Sequence, residues 1–174
     1  MASVTSGLTK NSKRATLPTK MKYLRVANVL FNELDLSDVQ EIGVEEREIE
    51  KYLLEIDDLL FVEGNGSPDQ IGRVSLWDGS ISPILHQNHL IKARFRDRVL
   101  PRYAMYYFMS DEGRKQILLS ASTTSGLYTL STGKIAAFEL SIPPIPLQEQ
   151  FLQLTQQIDK SKFNLQIAIY RAVW

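Results

Sequence analysis

DLLFVEGNGSPDQIGRVSLW, residues 58–77, decides the fold: two β-rich runs, DLLFV and IGRVSLW, flank the polar stretch EGNGSPDQ. A glycine-rich loop after a strand can cradle a phosphate when it carries Gly-Lys-Ser/Thr into a helix, because the helix N-terminus then presents its free amides to the anion. Here no lysine follows, and the next run is again strand-like. The stretch therefore reads as an antiparallel pair joined by a loop longer than a tight hairpin turn. Gly64 and Gly66 are expected to supply positive φ, and Asn65 and Ser67 to offer donors and acceptors at the tip. On these residues alone, a plain hairpin loop and a recognition loop both remain open.

Outward from this pair, YLRVANVLF (23–31) has the character of a buried strand, and LDLSDVQEIGV reads as turns around a short strand. EEREIEKYLL (45–54) places Ile49, Tyr52 and Leu53 at helical spacing behind an acidic first turn that suits the positive end of the helix dipole. ILHQNHLIKARF predicts another strand centred near Leu90 and Ile91. After Pro101, PRYAMYYFMSDEGRKQILLSA reads as two helical segments with Ser110 or Asp111 capping the second. SASTTSGLYTLSTGK is too polar for a core element, and FELSIPPIP reads as a strand with a proline-stiffened exit. The sum is an α/β (α+β) domain with a mixed, mostly antiparallel twisted sheet and short helices, over residues 1–145.

Residues 146–174 predict one long helix. Leu147, Phe151, Leu154, Ile158, Ser161, Leu165, Ala168 and Ala172 recur in steps of four and three, the seam of a coiled coil, and Pro146 sits in the first turn, where proline is tolerated. A narrow seam on so long a helix asks for a partner helix; packing on the chain's own domain is the alternative.

Composition narrows the chemistry. The 174 residues include no cysteine, which removes disulfides, thiolate nucleophiles and cysteine-based zinc sites. Hydrophobic residues make up 44% and no apolar run is long enough to span a bilayer. The opening MASVTSGLTKNSKR lacks the apolar core of a secretory signal, so a cytoplasmic protein is expected. His86 and His89 are the only histidines, and on one strand a three-residue spacing would put them on opposite faces, so no metal is expected. GNGSP is no nucleophile elbow, and SIPPIP lacks the flanking residues of an adenine methylase motif, so neither a catalytic residue nor a cofactor is assigned. The net charge of zero hides a segregation. Met1 to Lys22 carries Lys10, Lys13, Arg14, Lys20 and Lys22 and no acid, whereas Glu33 to Glu63 holds twelve carboxylates against Arg47 and Lys51. Positive charge returns at Lys92, Arg94, Arg96, Arg98 and Arg102. Folding the basic segments onto one side would make a phosphate-attracting face; scattered, solvated charges are the plain alternative.

Several pieces, in order, resemble the specificity subunit of type I restriction-modification systems: SGLTK (6–10), YLRVANV (23–29), DLLFVEGNGSPDQIGRV (58–74), HLIKAR (89–94), SDEGRKQILLSASTTSGLYTLSTGKI (110–135) and SIPPIPLQEQ (141–150) leading into the long helix. The resemblance implies a non-catalytic target-recognition domain that reads one part of a split sequence in double-stranded DNA, with separate methyltransferase (M) and restriction (R) subunits performing the chemistry. Such subunits usually carry two recognition domains and two long helices that pair antiparallel. Here one of each is present, and the usual helix before the first strand is missing or reduced, so a natural half-subunit, a truncated gene product and an excised domain are the alternatives. Working alone, the chain would form a homodimer through Leu147, Phe151, Leu154, Ile158 and Leu165 and read an inverted repeat.

On that footing Lys10, Lys13, Arg14 and Lys20, on a mobile N-terminal arm or loop, with Lys92, Arg94 and Lys134, are the candidates for phosphate contacts. Asn65, Ser67, Arg73, Thr123, Thr124 and Tyr128 are the candidates for contacts at base edges, since amides, hydroxyls and arginine match the major-groove code. Two other readings compete. One is an enzyme domain binding a nucleotide or small ligand at Gly64-Asn65-Gly66; the other is a regulatory partner of a methyltransferase that makes no DNA contact.

Overall fold

The computed structural model describes the backbone of residues 2–173 and the side chains through residue 168, so Met1 and the side chain of Ala172 lie outside the described residues. Strands β1 (Ser3–Ser6), β4 (Leu59–Val62), β6 (Val74–Leu76) and β8 (Leu90–Arg94) form the central sheet in the order β1-β8-β4-β6, every pair antiparallel. The pair expected from residues 58–77 is thus present, with Leu59 opposite Leu76 and Phe61 opposite Val74.

All four β4 residues are buried, because the sheet is covered on both faces. Side chains alternate across a strand, so Leu59 and Phe61 enter one core with Ile91, Ala93, Ala104, Phe108 and Ile117, whereas Leu60 and Val62 enter a second with Leu24, Trp77, Ile84 and Leu90. The first core is closed by α2 (Pro101–Met109) and α3 (Asp111–Ser120). Pro101 begins α2, where its missing N–H costs no helical bond. Ser110 caps α3 by accepting from Gly113 N, ahead of Asp111 and Glu112 at the positive end of the dipole. A smaller sheet, β3 (Gln40–Gly43), β2 (Lys20–Leu24) and β7 (Leu85–His86), packs Tyr23, Ile42 and Leu85 with Leu8 and the Ile49 and Tyr52 side chains of α1 (Glu46–Tyr52).

Four expectations need correction. The strand anticipated over 23–31 stops at Leu24, because buried Asn28 accepts from Arg25 N at 2.8 Å and donates to Asp35 O and Asp38 O, folding 26–28 into a 3-10 turn. ILHQNHLIKARF is two strands in different sheets, broken by a turn at 87–89. FELSIPPIP forms no strand; Gln116 holds it extended by accepting from Glu139 N and donating to Glu139 O. The N-terminal segment is no free arm, since β1 pairs with β8 from Ser3 opposite Arg94 to Ser6 opposite Ile91.

The long helix α5 (Ile145–Val173) begins where expected. Gln148 anchors it: fully buried, it accepts from Leu100 N and donates to Arg98 O and Pro143 O, each at 2.8 Å. Phe151 meets the edges of Tyr103 and Tyr106 on α2, with ring centres 5.7 Å apart in both cases. Two turns further on, the Tyr106 hydroxyl donates to Asp159 Oδ2 at 3.4 Å. Leu154, Ile158 and Leu165 are 58%, 52% and 61% exposed and, with Gln157, Ser161 and Lys162, line a shallow groove along the helix. Packing on the chain's own domain therefore touches the N-terminal half of α5 and leaves its seam exposed.

Candidate nucleic-acid interface

The glycine loop does not stay a loop. Gly64 and Asn65 form β5, which pairs with β10 (Leu127–Thr129), and β10 pairs with β9 (Ser122–Thr124) in a third sheet. The register puts Tyr128 opposite both Asn65 and Thr123. Residues directly opposite share a face with Cβ atoms roughly 5 Å apart, so an amide, a phenol and a hydroxyl stand in one row across three strands. Thr124 pairs with Leu127 and faces the other way. The β9–β10 tip is tight: Ser125 and Gly126 both have positive φ, at 49° and 79°.

The run after β5 turns on its own side chains. Asn65 Oδ1 accepts from Ser67 N at 2.9 Å and Ser67 Oγ accepts from Asp69 N at 3.3 Å, so both residues are held while the Asn65 amide donors make no hydrogen bond among the described residues. Positive φ falls not at Gly64 or Gly66 but at Gly72, at 63°, where an added Cβ would lie 2.6 Å from Ile117 Cγ2. No helix begins at this loop: β5 is paired and the chain runs on into β6. The phosphate-cradle geometry that an enzyme built on Gly64-Asn65-Gly66 would need is missing from this stretch.

Neighbouring groups fix the loop's edges. Glu63 N donates to His89 O, Glu63 O accepts from Leu130 N at 2.8 Å, and His89 Nδ1 lies 2.7 Å from Glu63 Oε2. Lys134, in α4 (Thr132–Ala136), donates to Ser122 Oγ at 2.5 Å and braces the base of the hairpin. Arg73 donates to Gln70 Oε1 at 3.1 Å and Val26 O at 3.3 Å; burial lowers its pKa from the ordinary value, and its Nε is buried without an acceptor. His86 lies inside the fold, donating from Nδ1 to Tyr52 O, and burial together with the Lys92 ammonium pushes its imidazole down to about 4. Among the described residues no group of three or more His, Asp or Glu is arranged to hold a metal.

The basic candidates divide. Arg14 donates to both Glu48 oxygens at 2.8 Å, and that carboxylate raises its pKa. Arg94 is clamped to Asp58 and Glu55, and Lys92 Nζ is buried, donating to Leu53 O at 2.8 Å with Asp58 Oδ2 4.0 Å away. Those three charges are compensated within the fold. Leu90, opposite Val62, is at the loop end of the sheet, while Arg94 lies past Ala93, the partner of Leu59, roughly 13 Å along the strand. Lys10 and Lys13 are exposed, and Lys20 donates to Ala15 O at 2.9 Å. The Gly7-Leu8 run that leads to Lys10 is tied to the turn before His89, Leu8 N donating to His86 O and Asn88 N to Leu8 O.

Arg114, which holds the loop from behind, is missed by any reading of local pattern. Its Nη1 donates to Ile71 O at 2.7 Å, across 43 residues. Nothing local marks it: α3 carries a second cation, Lys115, and only Gly113 and Ile117 of its residues are buried.

An α+β body with a small polar sheet and an emerging long helix is the class of protein to which known chains also point. The chain is a homologue of the specificity subunits of type I restriction enzymes over most of its length. It is 29% identical over 140 residues, 78% of its length, to the specificity subunit of the type I restriction enzyme EcoKI of Escherichia coli, and 28% identical over 138 residues to that of StySPI of Salmonella potsdam. It spans 29% of the length of each of these curated relatives. Its fold matches a chain in a solved type I R-M system with a TM-score of 0.65, covering 96% of this chain and 38% of the other at 13% identity. No family model matches the chain. No helix among the described residues is long and apolar enough to cross a membrane.

Proposed function

We propose that this chain is a sequence reader for one half of a bipartite site in double-stranded DNA, acting without catalysis of its own and directing methyltransferase and restriction subunits to that site. The observation that carries the reading is the row Asn65, Tyr128, Thr123, which lies in a chain homologous to specificity subunits. A planar amide beside hydroxyls can address base edges, and fixed register is what converts such groups into sequence preference.

Residues 1–145 act as the recognition domain and 146–174 as the helix through which two copies, or a copy and a methyltransferase subunit, associate. Asn65, Ser67, Thr123, Thr124, Tyr128 and Arg73 are the base-proximal set. Lys10, Lys13, Lys20 and Lys134 are the phosphate set; Arg14, Lys92 and Arg94 rank below them because carboxylates and carbonyls inside the fold already engage their charge. Such a protein works where the DNA is, in the cytoplasm of a cell without a nucleus.

The test is selection from a pool of randomised duplexes by the full chain, alone and with a cognate methyltransferase subunit, followed by binding of the enriched duplex across a salt series. Enrichment of one sequence, with affinity falling as salt rises, is expected. Salt-sensitive binding without enrichment of any sequence would leave a nonspecific DNA binder and reject the reader.

A further inference from the structure

Arg114 stands one turn into α3 and aims its guanidinium at backbone. Nη1 donates to Ile71 O at 2.7 Å and Gly72 O at 3.4 Å, and Nη2 donates to Pro68 O at 3.1 Å and Asp69 O at 3.3 Å. The guanidinium carbon sits over the Phe31 ring, 5.2 Å from its centre. A planar fork of donors can tie several carbonyls at once, which an ammonium on a flexible stem cannot do. The run it ties, 68–72, lies outside the strands and separates the Asn65-Ser67 turn from Arg73.

The same helix reaches both halves of the recognition sheet. Ile117, one turn beyond Arg114, packs where Gly72 leaves room, so α3 grips the loop twice. At its other end α3 passes through Ala121 directly into β9. The hairpin is tied back to the loop by Leu130 N donating to Glu63 O. Strand register sets Asn65 against Tyr128 and Thr123, and α3, with Arg114 as its polar grip, fixes the run 68–72 that follows Ser67 and leads to Arg73.

We infer that Arg114 is a specificity-positioning residue: it touches no DNA, and it holds the run 68–72 so that the Asn65-Ser67 turn and Arg73 keep the placement beside the β9–β10 hairpin that sequence discrimination requires. This rests on the DNA-reading function proposed above. A merely structural cation would, when removed, lower stability and all binding together; a phosphate contact would lower affinity for every duplex and flatten the salt dependence.

The experiment compares the full chain with Arg114→Ala, Arg114→Lys and Phe31→Leu on two duplexes at fixed salt, the one that the unaltered protein enriches from a randomised pool and a shuffled version of it. Arg114→Ala is expected to reduce the ratio of the two affinities on the order of tenfold, while affinity for the shuffled duplex stays within about twofold and the salt slope is unchanged. Arg114→Lys should recover part of the ratio, since an ammonium can hold one or two of the carbonyls, and Phe31→Leu should lose less than Arg114→Ala. An unchanged ratio, or an equal fall on both duplexes, overturns the inference. Should Arg114→Ala fail to fold, Arg114→Lys decides by the same ratio. An unaltered chain that enriches no sequence rejects the DNA reading itself, a result separate from a reader whose selectivity ignores Arg114.

Discussion

Arg94 and Asp58 form a two-pronged ion pair at one end of the two inner strands of the central sheet, Nε to Oδ1 at 2.6 Å and Nη2 to Oδ2 at 2.8 Å. Asp58 is fully buried, and its Oδ2 also accepts from Glu55 N at 2.8 Å, so this carboxylate holds a turn as well as two cations. Asp58→Ala removes the partner and leaves buried Lys92 without its counter-charge. A loss of about 3 kcal/mol or more is expected, read from the urea midpoint, because breaking a buried pair strands the remaining charge. A midpoint within experimental error of the unaltered chain would show that the pair contributes nothing.

The acid side of the stability profile should have two parts. His86 has a folded pKa of about 4 against an ordinary 6.5, so between those values the native state binds fewer protons than the unfolded chain. Its contribution is complete above pH 6.5 and is lost as pH falls to 4. Glu48, held at about 2 chiefly by its hydrogen bonds from Arg14, acts lower: its contribution is present above the ordinary 4.5 and is lost as pH falls towards 2. His86→Gln should flatten the upper part and Glu48→Gln the lower part in denaturant midpoints measured from pH 7 to pH 2. Variants that keep the parent slope in their own window would reject these assignments.

Asn65 and Lys13 should fail in different ways. Asn65→Ala is expected to weaken the preferred duplex by about 1 to 3 kcal/mol while leaving shuffled DNA nearly untouched, the signature of a base contact. Lys13→Ala should weaken every duplex alike and reduce the salt slope by about one counterion. Competition binding on the two duplexes across a salt series separates them, and a uniform loss for Asn65→Ala would move it into the phosphate set.

The exposed seam of α5 makes a prediction about assembly. Replacing Leu154 and Ile158 together by aspartate puts charge into an apolar seam and should reduce a dimer, or a complex with the methyltransferase subunit, to its components. Light scattering reads the mass, and circular dichroism checks that the body stays folded. The body should survive, because the anchor of α5 is Gln148, which those changes do not touch. A doubly substituted chain with unchanged mass and partner binding would remove α5 from association.

Much of the fold was legible because its signals are local. The apolar run of β4, Ser110 before an acidic turn and Pro146 at the head of a heptad pattern each act within a few residues, and each is where the pattern puts it. The small sheet of β5, β10 and β9 was half legible. Its residue types stood out, but TTSGLYT looked like a plain polar loop, since a short exposed hairpin has no apolar alternation to betray it. Likewise YLRVANVLF has strand propensity throughout, and only Asn28, by bonding backbone from below, bends the chain after Leu24.

By itself the sequence determined the β4 run, the capped start of α3, the absence of cysteine chemistry, the segregation of charge and the seam of the last helix, all properties that neighbouring residues settle among themselves. The tertiary structure alone decided which cations are free and which side chains stand together. Arg14 meets Glu48 across 34 residues and Arg94 meets Asp58 across 36, so a basic residue counted in a segment can be neutral in its effect once folded. Asn65 and Tyr128 become neighbours only through strand register, a long-range pairing that hydrogen-bond geometry imposes on the chain.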